Sequence, residues 1–347
     1  MSGAGSAGVF YNFEEKDNLS GVGGPPVLLL TEENKTLAAF VDADYRISDS
    51  FEIGAGIRYD NVHRDQAPVL SVERSATFID WQPQLTLRYY ASDDSMFYAR
   101  VARGFRPGGF NNTTASVPVF DSETLQSYEL GVKASLLEGA LDTSFNVYYI
   151  DEWKPQIQSF LPNTDPSGAP FIASTATPGT AESYGFEGSI TAAINTALKL
   201  QSSFGYNKTE MKEDDPVVPS QIVEKGDPIP FAPEWNFNLS LVYHKSLGDN
   251  LDLEISPSVS LVGETYYAAN ITTLSGPGAD MIQDPHERVN LSVSLLSQDW
   301  DVTLYGHNLT NEEYLVAGED LSYEAPGSGF FALGDLRSYG VKFKYRM

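Results

Sequence analysis

The sequence predicts an all-β fold, a transmembrane antiparallel β-barrel with about fourteen strands in this chain. Three observations carry the prediction. Apolar and polar residues alternate with a period of two, the segments between alternating runs are short and long by turns, and aromatic residues gather towards the ends of the runs.

The alternation is plain in several places. Phe51, Ile53, Ala55, Ile57 and Tyr59 share one face, opposite Glu52, Gly54, Gly56 and Arg58. Leu141, Thr143, Phe145, Val147 and Tyr149 oppose Asp142, Ser144, Asn146 and Tyr148. From Leu251 to Leu261 the odd positions hold Leu, Leu, Ile, Pro, Val and Leu, against Asp252, Glu254, Ser256, Ser258 and Ser260. Val289, Leu291, Val293 and Leu295 oppose Arg288, Asn290, Ser292 and Ser294. None of these runs has a helical period. Strands are expected near 7–14, 35–47, 50–62, 76–90, 95–104, 124–137 and 139–153. Seven more are expected near 181–194, 197–209, 232–246, 250–264, 285–297, 299–309 and 336–347.

Six connections are tight: Ser48-Asp49-Ser50, Ser92-Asp93-Asp94, Leu137-Glu138-Gly139, Asn195-Thr196-Ala197, Leu247-Gly248-Asp249-Asn250 and Ser297-Gln298-Asp299. These are the Asx, Gly and Ser chemistry of hairpin turns. Seven are long, near 15–34, 63–75, 105–123, 154–180, 210–231, 265–284 and 310–335. Long and short alternate strictly, beginning and ending with a long one. A soluble β-sandwich has no reason for that rule; an outer-membrane barrel does, because periplasmic turns are short and extracellular loops are long. An even strand count places both ends of the chain on the periplasmic side. Tyr89-Tyr90, Phe97-Tyr98, Tyr148-Tyr149, Trp235, Tyr243, Tyr266-Tyr267 and Tyr339 are placed to form interfacial girdles.

Composition excludes other classes. A formal net charge of -25 argues against a nucleic-acid partner, which requires a basic face. The acids cluster between alternating runs, as in Glu32-Glu33, Glu213-Asp214-Asp215 and Glu319-Asp320. They read as solvated loops or, alternatively, as loops that attract cations or hold a divalent metal. With no cysteine there are no disulfides and no thiolate metal sites. No run approaches the ~18–20 apolar residues of a membrane helix, a test that a barrel strand evades. Residues Met1 to Ala7 do not form a secretory signal. Of the four histidines, His63, His244, His286 and His307, no two have a recognisable metal spacing, and no nucleophile elbow or phosphate-cradling loop is present. No enzyme and no cofactor is expected.

Three stretches then resemble TonB-dependent receptors of Gram-negative bacteria. Val101 to Asn111 contains Gly104-Phe105-Arg106-Pro107-Gly108-Gly109-Phe110-Asn111, similar to that family's strand-and-loop core. Glu123 to Lys133 resembles its following strand, through Tyr128, Glu129, Gly131 and Lys133. Asn308-Leu309-Thr310-Asn311-Glu312-Glu313-Tyr314 is similar to its box before the last strand. The order and spacing of the three carry more weight than any one of them. Their roles read as structural: glycines let the backbone leave the sheet, Phe105 and Phe110 anchor the rim, and Glu129 and Lys133 share the lumen face. Arg103 and Arg106 are the ligand-contact candidates, for an anionic ligand or lipopolysaccharide, with pairing to neighbouring acids as the simpler reading.

Tyr339, Val341, Phe343, Tyr345 and Met347 alternate at the end of the chain, similar to the terminal strand read by the barrel-assembly machinery, with Met347 where Phe or Trp is usual. The resemblance implies a twenty-two-stranded barrel, an N-terminal plug and a TonB-contacting box. This chain matches the last fourteen strands, a partial barrel over 1–347 without plug or signal peptide. It implies location in the cell outer membrane, contact with lipid and lipopolysaccharide, and the TonB complex as partner only of the intact receptor. The solute would be scarce: a ferric siderophore, cobalamin or a glycan. The other reading is a self-closing fourteen-stranded passive porin, which requires pairing of the first and last strands.

Overall fold

Fourteen long strands follow one another in a single antiparallel meander, each hydrogen-bonded to the next long strand in sequence. The structure is a computed structural model, and it describes residues 3–20, 27–68, 72–162, 164–166, 171–214, 223–267, 281–320 and 329–346. The first seven long strands are β1 (Gly3–Ser20), β2 (Val27–Arg46), β3 (Phe51–Pro68), β4 (Arg74–Ser92), β5 (Ser95–Arg106), β8 (Glu123–Leu136) and β9 (Leu141–Trp153). The other seven are β12 (Thr180–Ala193), β13 (Leu198–Met211), β14 (Trp235–Gly248), β15 (Leu251–Val262), β18 (His286–Ser297), β19 (Trp300–His307) and β22 (Ser338–Tyr345). Four small hairpins decorate the long connections: β6 (Gly109–Phe110) with β7 (Val119–Phe120), β10 (Ile157–Pro162) with β11 (Phe171–Ala176), β16 (Thr265–Tyr266) with β17 (Ile282–Gln283), and β20 (Leu315–Asp320) with β21 (Gly329–Leu333).

All fourteen expected strands are present, and the register keeps the expected faces. Val259, Pro257, Ile255 and Leu253 of β15 stand opposite Val289, Leu291, Val293 and Leu295 of β18. Large apolar side chains along the outer face are open to the surroundings, among them Trp81, Leu85, Leu130, Val341 and Phe343. The buried apolar cluster of Ile157, Ala176, Ala181, Met211 and Val223 lies instead at the loop end of the sheet. That inversion, with apolar residues outside and the compact cluster among loops, is what lipid as solvent demands.

Two aromatic belts bound the outer face. At the turn end Phe51, Tyr89 and Phe97 form a row, with centroid separations of 4.9 and 6.4 Å. Towards the loops Tyr59 meets Trp81 at 4.7 Å, Tyr128 meets Tyr149 at 6.4 Å, and Phe186 meets Tyr206 at 5.6 Å. Phe51 and Tyr59 are eight positions apart on β3, about 26 Å along the strand and less along the normal of a tilted barrel, which fits a ~25 Å apolar band. Three residues of the expected girdles belong elsewhere. Tyr90, Tyr98 and Tyr148 are one position out of phase and turn to the polar inner face, where Tyr90 Oη donates to Glu52, Tyr98 Oη to Glu129 and Tyr148 Oη to Asn207.

The expected loops 15–34 and 63–75 are largely strand. β1 and β2 stay paired to Ser20 and Val27, and β3 and β4 continue to Pro68 and from Arg74. Beyond the upper belt the outer face becomes polar: Thr31 Oγ1 donates to Asp17 at 2.7 Å, and Lys35 pairs with Glu33 at 2.8 Å. The pleat continues after the hydropathy contrast has stopped, so a pattern search ends the strand early.

β1 and β22 are the two ends of the strand order, and no ladder joins them among the described residues. The self-closing porin required that ladder. Each open edge would set a row of unpaired backbone donors and acceptors in lipid, so the sheet alone does not make a sealed channel.

Candidate functional site

The inner face is a polar wall, and the E-x-G-x-K segment shows how it is built. β5 and β8 set Arg100 opposite Glu129, Tyr98 opposite Gly131 and Met96 opposite Lys133. The Tyr98 ring lies on Gly131 so closely that a Cβ there would stand 2.4 Å from Cε1. Its hydroxyl donates to Glu129, which also accepts from Asn146 Nδ2 at 3.0 Å, and Lys133 Nζ sits 5.8 Å from the ring centroid. Glu129, Gly131 and Lys133 are therefore the cradle of one aromatic residue on the neighbouring strand. Glu129, Lys133 and Tyr98 share a cavity of about 500 Å³ with Asp42, Asp44, Gln84, Arg88 and Arg100. A methyl group at position 131 must displace the ring, so Gly131→Ala is expected to cost about 1–3 kcal/mol. The check is a lower melting temperature in detergent, with no matching loss for Gly248→Ala in the β14–β15 turn, where a Cβ meets nothing within 4 Å and φ is not positive.

Higher on the same wall, the G-F-R-P-G-G-F-N segment leaves the sheet and folds over the rim. Glycine is required at 108 by close approach, since a Cβ there would lie 2.3 Å from the Phe120 carbonyl oxygen; at 109 a Cβ would crowd the Phe120 ring at 2.6 Å and Arg64 Nη1 at 2.8 Å. Gly104 is under less pressure, with Leu125 at 3.0 Å. Phe105 remains in β5 opposite Thr124. Phe110 lies beneath Arg74, whose Cζ is 5.0 Å from the ring centroid. Arg74 also donates to the Pro118 carbonyl at 2.8 Å, to the Asn111 carbonyl at 2.5 Å and to Gln66. The Pro107 carbonyl accepts from Gln156 Nε2 at 2.9 Å.

Asn111 is the knot of this rim. Its Nδ2 donates to the carbonyls of Val117 at 2.9 Å and Thr175 at 2.8 Å, and its Oδ1 accepts from the Thr175 amide at 2.7 Å. One side chain thus ties the loop after β5 to the β10–β11 hairpin.

The two ligand-contact candidates are paired. Arg103 makes a bidentate pair with Asp80 at 3.0 and 2.9 Å, and Arg106 reaches Glu123 at 3.3 Å. Sequence pattern missed Arg64, Arg74 and Gln66, and it placed Tyr98 in the girdle rather than on the inner face. The only signal for Tyr98 was its phase, opposite to that of Phe97.

The box before the last strand forms a second knot. Asn308 has a left-handed φ of 47° and Asn311 one of 58°, a conformation Asn tolerates better than most residues. Asn308 Nδ2 donates to the Glu312 and Asp335 carbonyls at 2.8 and 3.0 Å, and its Oδ1 accepts from the Glu312 amide at 2.9 Å. The Leu309 amide donates to the Val289 carbonyl at 2.8 Å. Tyr314 is buried, stacked on His286 at 4.8 Å, with the Arg288 guanidinium 5.1 Å from its centroid. In β22, Tyr339, Val341, Phe343 and Tyr345 all point outwards, 63–68% exposed. Met347 lies outside the described residues.

A meander with an apolar outer face, a polar inner face and elaborated loops at one end is the wall of a membrane β-barrel. Residues 3–309 match the family model "TonB dependent receptor-like, beta-barrel", and the chain belongs to that family. It is 24% identical over 245 residues to the metal-pseudopaline receptor CntO of Pseudomonas aeruginosa, covering 67% of this chain and 32% of that protein. It is 31% identical over 110 residues to the pesticin receptor of Yersinia pestis, covering 28% of this chain and 16% of the receptor. The crystal structure of the ferric yersiniabactin uptake receptor FyuA from Yersinia pestis superposes with a TM-score of 0.75 at 18% identity, over 99% of this chain and 51% of the other. The chain spans about a third or less of the length of these two sequence relatives, and about half of that structure.

Proposed function

We propose that this chain is the C-terminal fourteen-strand wall of a TonB-dependent receptor in the Gram-negative outer membrane, importing a ferric siderophore or related metal chelate. The observation that carries the reading is the family match over 3–309 together with two open sheet edges, which suit a larger barrel. The metal-chelate class is supported by the names of the relatives; cobalamin and glycan remain the competing solutes. The plug and the TonB-contacting box are assigned to the intact receptor, so the fourteen strands alone are expected not to couple uptake to energy. Lipid and lipopolysaccharide face the outer wall, and the barrel-assembly machinery reads β22. The reading is transport, not catalysis.

The test uses the complete natural polypeptide that carries this chain, expressed in a Gram-negative host lacking its own siderophore receptors. Accumulation of radioiron from a panel of ferric siderophores should appear and should vanish when TonB is deleted. Uptake that persists without TonB, or steady conductance of the 347-residue chain in a planar bilayer, would instead favour the passive channel.

A further inference from the structure

Among the described residues, several arginines near the loop end of the wall pair with neighbouring carboxylates, and Arg64 does not. Arg58 pairs with Asp60, Arg88 with Asp44 and Glu52, Arg103 with Asp80, and Arg106 with Glu123. Arg74 is held through its Nη atoms by two loop carbonyls and Gln66 and lies on the Phe110 ring, with its Nε left without a partner. Arg64, on β3 between Asn34 and Ala76, makes no hydrogen bond or ion pair with any described residue, and its Nε is buried without a partner. The Gly109 backbone passes close over it: a Cβ there would lie 2.8 Å from Nη1.

The local field is mixed. The carboxylates of Glu32 and Glu14 attract Arg64 and the guanidinium of Arg106 repels it. Neither acid comes within ion-pair distance, and Glu32 already accepts from Gln66 Nε2 at 2.8 Å. A partly buried guanidinium that feels the repulsion of Arg106 and has no ion pair among the described residues is costly to keep without an anion. Its five donors are arranged to grip a planar or tetrahedral oxyanion.

We propose that Arg64, supported by Arg74 and Arg106, forms a subsite for an oxyanion group, carboxylate or phosphate, on the inner wall beneath the Gly108–Gly109 turn. The subsite rests on the receptor reading and adds the charge class of the solute portion that enters the mouth. Arg64 is the contacting residue; Arg74 holds the rim over it, and Arg106 adds positive potential while bound to Glu123.

The experiment is calorimetric titration of the complete natural polypeptide, purified in detergent at low ionic strength, with citrate and with pyrophosphate as probes. Wild type should bind at least one probe. Arg64→Gln should weaken binding about tenfold or more, Arg64→Lys should recover part of it, and Arg346→Gln at the opposite end of the wall should leave it unchanged. Preference for citrate assigns a carboxylate-bearing solute, and preference for pyrophosphate a phosphate-bearing one. Equal affinity of Arg64→Gln and wild type overturns the subsite, as does binding of neither probe by wild type. Unchanged heat-modifiable migration of the variants in gels excludes misfolding as the cause. Since the titration needs no energised membrane, anion binding without TonB-dependent uptake would sink the receptor reading and leave the subsite standing.

Discussion

Replacing Asn111 by alanine is expected to release the rim at the loop end while leaving the barrel wall intact. The substitution removes one acceptor and two donors, and orphans the Thr175 amide together with the carbonyls of Val117 and Thr175. Each buried orphan costs about 1–3 kcal/mol, less whatever water recovers, so a local loss of about 2–4 kcal/mol is expected. At about 1.4 kcal/mol per tenfold, that is roughly a 30-fold or larger rise in amide exchange. Hydrogen exchange should show it at Thr175 and over Gly109 to Phe120, with protection of β3, β4 and β8 unchanged. Asn111→Asp should be as severe, since it sets a carboxylate against two carbonyls. Unchanged protection at Thr175 in either variant would refute the latch.

The second large effect is expected at Asn308. Alanine there loses the tolerance for a left-handed φ of 47°, about 1–2 kcal/mol for an ordinary residue. It also loses two donated bonds and one accepted bond that close the turn onto Glu312 and Asp335. A combined loss of about 3–5 kcal/mol follows, before relaxation. Asn308→Gly keeps the backbone freedom and should be milder, which separates the conformational part from the hydrogen bonds. The measurement is the unfolding midpoint in detergent. Equal midpoints for Asn308→Ala and wild type would rule out the turn as an anchor of the final strand pair. Tyr314 supplies a local readout, because its stack on His286 and the space that Gly334 leaves for its ring depend on the same turn.

The alternation in residues 51–59, 141–149, 251–261 and 288–295 determined the faces of the sheet, because a period of two needs only the pleat and a difference in solvent between the two sides. The turn chemistry determined the strand count. Asn195 accepts from the amides of Ala197 and Leu198, and Leu137, Glu138 and Gly139 all take positive φ, both local events set within a few residues. Phase could have separated Tyr98 and Tyr148 from the girdle, because each is one position off its outward neighbour.

Three things only the tertiary structure decided. The first is the rise of β1 to β4 above the aromatic belt, where Glu14 to Asn18 and Thr31 to Lys35 are polar on both faces and carry no contrast to read. The second is the purpose of the motifs. Glu129, Gly131 and Lys133 serve a tyrosine on the next strand, and Asn111 serves a backbone segment 64 positions away, so neither partner can be found by spacing. The third is which arginines find a carboxylate. Arg103 and Arg106 stood out because they lie in a motif, yet both are paired, while Arg64 gave no signal. Whether a guanidinium finds a carboxylate is settled by strands and loops that meet only when the sheet is formed.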